Sequence, residues 1–90
     1  MIHKNIKLAK TEINIVTTKL RSLREDLMKR EKTINEMLSD TTLNSSERVG
    51  ILTVLNSLDL VWHRLDSMEM DLVFSMEFLK ELEVKNASLQ

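Results

Sequence analysis

The chain has 90 residues, which is enough for one domain, and its net charge is −1 with 42% hydrophobic residues. It contains no Pro, Cys or Tyr and a single Gly. This composition argues against turn-rich β folds, disulfide frameworks and cysteine-based zinc or thiol chemistry. The apolar content and the balanced charge argue against a disordered chain.

The first half of the chain carries a heptad pattern that is typical of a coiled-coil helix. Apolar residues recur in steps of three and four, and Arg30 is the one break. The column of residues is Ile2, Ile6, Ala9, Ile13, Val16, Leu20, Leu23, Leu27, Arg30, Ile34 and Met37. We therefore predict a first helix over about residues 3–40.

The heptad pattern stops at the stretch DTTLNSS, residues 40–46. These polar side chains bond readily to nearby backbone groups and so compete with helical hydrogen bonds. Asn44 and Glu47 have the spacing of a capping box, which marks the start of a new helix. The sequence predicts a turn near residues 40–44 and a second helix over about 45–85, followed by a frayed C-terminal tail.

The second helix resumes the same pattern, with Glu69 as its one break. Its column is Ile51, Leu55, Leu58, Trp62, Leu65, Glu69, Leu72, Met76 and Leu79. Because a short turn makes neighbouring helices antiparallel, the expected fold is all-α, a long antiparallel hairpin that forms a single domain.

The second helix also has apolar residues on the side away from this column. They are Val49, Leu52, Leu60, Met70, Phe74 and Phe78. A helix that is apolar on two faces is usually buried on both. We therefore predict that Leu60, Met70, Phe74 and Phe78 bind a partner, and that Trp62, a further candidate for partner contact, supports the seam between the helices. A second copy would give a four-helix bundle. A different helical protein and a monomer are the alternatives.

The two breaks in the heptad pattern suggest pairs that set the register of the hairpin. Reflecting the chain about the turn brings Arg30 near Asp59, and Lys19 near Glu69. A polar residue in a coiled-coil column commonly fixes register at some cost in stability. We therefore predict the cross-helix pairs Arg30–Asp59 and Lys19–Glu69.

The sequence offers little catalytic chemistry. Asp59, His63 and Asp66 share one side of the second helix, but a carboxylate one turn from a His is a common helix-stabilising pair. The Glu-x-x-His motif of metal-binding bundles and Gly-rich phosphate loops are both absent. We expect no enzyme activity, no catalytic or metal-binding residues, no cofactor and no small-molecule substrate.

The function that fits these features is a non-enzymatic protein-binding module that acts through a helical bundle surface. A secretion chaperone, a phage or mobile-element inhibitor and an assembly adaptor are settings that suit such a module. The alternative is a small nucleic-acid-associated or transcription-modulating hairpin. It would use the basic residues of the first helix, Lys4, Lys7, Lys10, Lys19, Arg21 and Arg24. No membrane span or signal peptide is visible, and we expect a cytoplasmic location.

Overall fold

A computed structural model shows two long antiparallel helices, which confirms the all-α hairpin. It describes residues 2–88, and side chains from residue 4 to residue 87. Helix α1 spans Ile2–Met37 and helix α2 spans Ser45–Ser88. The Cα atoms occupy 71 × 16 × 13 Å, so the molecule is long and only two helices wide. Neither helix is long and apolar enough to cross a membrane.

The connection between the helices, residues 38–44, is built by polar contacts. The backbone N–H groups of residues 38, 39 and 40 each donate to the carbonyl three residues earlier, at 3.1 Å, which tightens the end of α1. Arg48 reaches back from α2 and donates to the carbonyl oxygens of Leu38 and Asp40, at 2.9 and 3.0 Å. Arg48 therefore caps the C-terminal end of α1, a role that sequence analysis did not assign.

Asp40 organises the turn through its carboxylate. Its Oδ1 accepts hydrogen bonds from the Thr42 hydroxyl at 2.7 Å and from the Thr42 N–H at 2.9 Å. These two bonds, aided by the nearby Arg48 charge, hold the pKa of Asp40 below its usual value. Because the folded pKa is the lower one, ionised Asp40 stabilises the turn, and this contribution is lost as the pH falls through that pKa.

Asn44 begins α2. Its Oδ1 accepts a hydrogen bond from the Glu47 N–H at 2.8 Å, and its carbonyl accepts one from the Arg48 N–H at 3.1 Å. These are the contacts of an N-cap residue, which satisfies backbone donors that have no partner within the helix. The helix start predicted from Asn44 and Glu47 is therefore confirmed.

Asn44→Ala is expected to lower the free energy of unfolding by about 1 kcal/mol, because the Glu47 N–H loses its acceptor. Urea unfolding followed by circular dichroism measures this change. Thr41→Ala is the matched control, since it alters an exposed turn residue that makes none of these capping contacts. Equal stability of the two variants would contradict the capping role.

The inner face of α2 agrees with the sequence pattern. All nine residues of the predicted column are buried or half-buried, including the break at Glu69. Leu65 is the most buried of them, at 4% exposure, and the other buried core residues in the described part of the chain are Ile6 and Leu20. The heptad period therefore predicted which side of α2 faces α1.

The inner face of α1 differs from the prediction by a small rotation. The column Ile6, Ile13, Leu20, Leu27 and Ile34 packs inward as expected, while the side chain of Ile2 lies outside those described. The second inward column is Lys10, Thr17, Arg24, Glu31 and Leu38. The predicted residues Val16, Leu23, Arg30 and Met37 are instead exposed. This rotation places Arg24 and Glu31 against α2, where Arg24 pairs with Glu69 and Glu31 accepts a hydrogen bond from the Trp62 indole.

Three cross-helix contacts define the register. Lys10 pairs with Glu83, Arg24 with Glu69, and the Trp62 indole with Glu31. A step of seven residues from Arg24 to Glu31 is matched by seven in the opposite direction, from Glu69 to Trp62. The register is therefore antiparallel and constant along the hairpin.

This register replaces both predicted pairs. Arg30 Nε lies 3.6 Å from Asp26 Oδ1 on its own helix rather than against Asp59, and Glu69 meets Arg24 rather than Lys19. The prediction, which reflected the sequence about the turn, displaced α2 along α1 by about one helical turn. The reason is the connection, which runs over residues 38–44 and lies alongside the first turns of α2, where Arg48 holds it.

Candidate interaction surfaces

A polar cluster lies in the middle of the interface between the helices. Arg24 forms ion pairs with Glu69 and with Asp66, the latter at 3.0 Å, and its guanidinium carbon is 5.6 Å from the centre of the Trp62 ring. The Trp62 indole N–H donates to Glu31 Oε2 at 2.5 Å. Sequence analysis missed Arg24 and Glu31. The signal for them was Glu69, an acid in the inward column that requires a cation opposite.

The predicted partner-binding residues of α2 are exposed. We call Leu60, Met70, Phe74 and Phe78 the outer ridge; Phe74 and Phe78 are 63% and 61% exposed. Met70, Phe74 and Phe78 follow one another at intervals of four residues, so they line about 12 Å of one helix face. Trp62, predicted to support the seam between the helices, is half-buried, and its indole N–H reaches Glu31 of α1. It stabilises the hairpin rather than the ridge.

A second apolar surface begins beside the turn. Met37 and Val54 line one open groove, together with Ile34, Leu43, Glu47, Gly50 and Ile51. Residues from both helices border this groove, so Met37 of α1 and Val54 of α2 lie on the same side of the hairpin.

The heptad period extends this side along the molecule. Each inner column keeps a period of seven, so a column parallel to it stays on one side of the seam. Steps of seven lead back from Met37 through Arg30 to Leu23 and Val16, and forward from Val54 to Val61 and Met68. We call these residues the front face: Val16, Leu23 and Met37 of α1, and Val54, Val61 and Met68 of α2. All six are exposed, Leu23 by 52% and Met68 by 49%.

The opposite side of the hairpin is polar. Its groove is lined by Met28, Glu31, Lys32, Asn35 and Trp62. The pair between Arg24 and Asp66 lies on this side as well, next to the Trp62 ring. The hairpin therefore has one apolar and one polar broad side.

Charge is divided between the helices. Helix α1 carries nine basic and five acidic residues, a net charge of +4, and α2 carries four basic and eight acidic residues, a net charge of −4. Of the basic residues proposed for nucleic acid, Lys10 and Arg24 pair with acids of α2. Two of the nine basic residues of α1 are thus paired with α2 within the hairpin.

The carboxylates and His63 of α2 do not form a ligand cage. Within the described part of the chain, no three His, Asp or Glu side chains are placed to hold a metal ion. Asp66 turns towards Arg24, while Asp59 and His63 are exposed. The grooves on the two broad sides of the hairpin are open to solvent rather than enclosed.

No protein-family model matches the chain, and no curated protein or solved structure matches it either.

Proposed function

We propose that the chain is a non-enzymatic protein-binding module, a helical hairpin that works by covering or presenting a helical surface. The observation that carries this proposal is the apolar surface that the hairpin leaves uncovered. Only Ile6, Leu20 and Leu65 are buried in the described chain, whereas seventeen large apolar residues are exposed. Exposed apolar surface on this scale is typical of a protein that associates with another.

The total surface area supports the same proposal. A compact monomer of 10.5 kDa exposes about 5,400 Å². This chain exposes 7216 Å². The excess follows from a shape only two helices wide, which has no third layer to close its core. Association with further helices supplies such a layer.

The outer ridge is the site proposed for a helical partner. Met70, Phe74 and Phe78 form a continuous apolar stripe, which is the pattern by which helices dock along one another. Met side chains adapt their shape, so this end of α2 accommodates a partner surface that is not perfectly complementary. Such a stripe would suit a secretion chaperone, a phage or mobile-element inhibitor or an assembly adaptor.

Comparing two double variants in the cell that makes the protein tests the ridge. Phe74→Ser/Phe78→Ser removes two ridge residues. Val73→Ser/Val84→Ser is the matched control, because it removes two exposed apolar residues of α2 that lie off the ridge. Proximity capture is expected to recover a helical protein with the wild type and with the control, in nearly equal amounts from the two. With the ridge variant this protein is expected to be lost. Circular dichroism checks that both variants remain helical.

The proposal fails if the captured proteins are the same for all three chains and the purified wild type binds no apolar dye. The nucleic-acid alternative stays a prediction with its own signature. Retention on DNA or RNA that falls steeply with salt would favour it over the protein-binding module.

A further inference from the structure

We propose that the front face binds a second copy of the chain, giving a four-helix bundle in which α1 of each copy packs against α2 of the other. This rests on the proposed function only in requiring that another protein covers the exposed apolar surface. It goes further by naming the occupant and by giving self-association and partner binding separate surfaces.

The first argument is the direction of the apolar stripes. On α1 the strongest stripe combines the inward column of Leu20 with the exposed column of Leu23, so its centre points between α2 and the front. On α2 the inward column of Leu65 is likewise flanked by Val61 and Met68 towards the front. Helices of a two-helix hairpin direct their stripes at each other. Helices of a four-helix bundle direct them at a shared axis, as these do.

The second argument is area. The whole side of the hairpin measures 71 by 16 Å between Cα atoms, or about 1,100 Å² in projection, and the front-face residues from Val16 to Met37 span about 32 Å of its length. A second copy that contacts the full side of the hairpin, beyond the front face itself, reaches the roughly 800 Å² that each partner contributes to a stable interface. It also covers Leu23 and Met68, which the isolated hairpin leaves half-exposed.

The third argument is charge, and it selects the arrangement. A two-fold axis parallel to the helices places α1, with a charge of +4, over α2 of the second copy, with a charge of −4. A two-fold axis perpendicular to the helices, in the plane of the interface, places α1 over α1 and α2 over α2. Since like charges along facing helices repel, the parallel axis is favoured. All neighbouring helices are then antiparallel.

This arrangement brings together charges at the rim. Asp71 lies three residues, or about 4.5 Å along the axis, from the level of Lys19, and Arg64 lies equally far from the level of Asp26. Arg24 and Asp66 have the same offset and pair at 3.0 Å, so a long side chain bridges it. With the parallel axis, the same offsets hold between copies. Lys19 then faces Asp71 of the second copy, and Asp26 faces Arg64 of the second copy. Lys19, Asp71 and Arg64 are exposed and carry no ion pair within the hairpin.

Arg30 is the one charged residue in the front column of α1. Its Nε lies 3.6 Å from Asp26 Oδ1, and the side chain is exposed. Arg30→Leu extends the apolar column of the front face, so it is expected to tighten the dimer.

Sedimentation equilibrium of the full chain tests the interface. Wild type is expected to be dimeric at micromolar concentration. Leu23→Glu places two carboxylates in the interface of a symmetric dimer and is expected to weaken it at least about a hundredfold. Phe74→Ser, on the outer ridge, leaves dimerisation within about threefold of wild type, a difference of less than 1 kcal/mol. Phe78 is left unchanged in this ridge variant because it lies seven residues from Asp71, in the column of the rim.

A charge reversal tests the arrangement of the helices and does not depend on the Leu23 variant folding. Lys19→Glu and Asp71→Lys are each expected to weaken the dimer by about tenfold, because each converts two rim pairs into repulsive ones. The double variant Lys19→Glu/Asp71→Lys restores the opposite charges and recovers wild-type affinity. Single losses without recovery in the double variant would overturn the arrangement.

The outcomes separate this inference from the proposed function. If the ridge variant abolishes the dimer while Leu23→Glu preserves it, self-association uses the ridge, so the front-face assignment is wrong although the protein-binding module stands. If the wild type is a folded monomer, and the ridge variant still loses a protein that the wild type captures, then only the proposal of a second copy is ruled out. If the wild type is a monomer and no partner depends on the ridge, both proposals fall.

Discussion

Leu65→Ala is expected to lower the free energy of unfolding by about 2–3 kcal/mol, the largest loss for a single apolar truncation in α2. Leu65 is 4% exposed, and it is the only residue of α2 that is fully packed against α1 among those described. Truncation removes its buried methyl groups and leaves a gap that the two straight helices close only in part. For a chain of this size the melting temperature falls by roughly 10–20 °C.

Leu60→Ala is the matched control for Leu65→Ala, because it makes the same chemical change five residues earlier on the same helix. Leu60 is 60% exposed, so its truncation changes the stability by no more than about 0.5 kcal/mol. Both variants are unfolded in urea at one fixed protein concentration, since association adds to the apparent stability. Equal losses at the two positions would show that α2 does not pack on α1 through Leu65.

The inner face of α2 was predictable because its heptad column runs through more of the helix than the apolar residues on the outer side do. Residues from Ile51 to Leu79 hold one period, and Leu65 lies at its centre. The outer ridge was predictable for the same reason, since Met70, Phe74 and Phe78 stand out on a single helix without knowledge of α1. A pattern confined to one helix can be read from that helix alone.

The rotation of α1 could not be predicted in this way, because two columns compete for the position beside Leu20. Hydrophobicity favours the column of Val16, Leu23 and Met37. The structure selects the column of Arg24 and Glu31. That choice depends on partners across the hairpin, and the partners depend on a register set by the turn. The pattern of apolar residues on α1 alone does not give the register of the hairpin.

The front face follows from that choice of column. Because Arg24 and Glu31 occupy the inner face, the apolar residues Leu23 and Val16 are left for a second surface. A prediction that places all apolar residues of α1 between the two helices has nothing left for another chain. Polar contacts within the hairpin thus leave apolar surface of α1 exposed, and this is the surface proposed for association between hairpins. This is why the apolar front of α1 was not visible at the sequence level.

Arg24→Leu is expected to lower the free energy of unfolding by about 1–2 kcal/mol, because it leaves Glu69 in the inner face without a cation. The value is moderate because the Arg24 side chain is about one-third exposed, so solvent screens its ion pairs. Arg21→Leu is the matched control. Arg21 lies three residues earlier, is exposed and forms no ion pair in the described structure, so its loss changes stability little.

The double variant Arg24→Leu/Glu69→Leu separates stability from specificity. Replacing both partners of a part-buried ion pair by apolar residues is often neutral or stabilising, so the double variant is expected to recover the stability lost by Arg24→Leu. The rotation of α1 is then no longer fixed by charge. The chain has a single Trp, so the Trp62 indole N–H gives one NMR signal that reports its bond to Glu31. Splitting or loss of this signal in a stable double variant would show that Arg24 and Glu69 select the rotation of α1. A stable double variant with an unchanged signal would assign that selection to Glu31 and Trp62 instead.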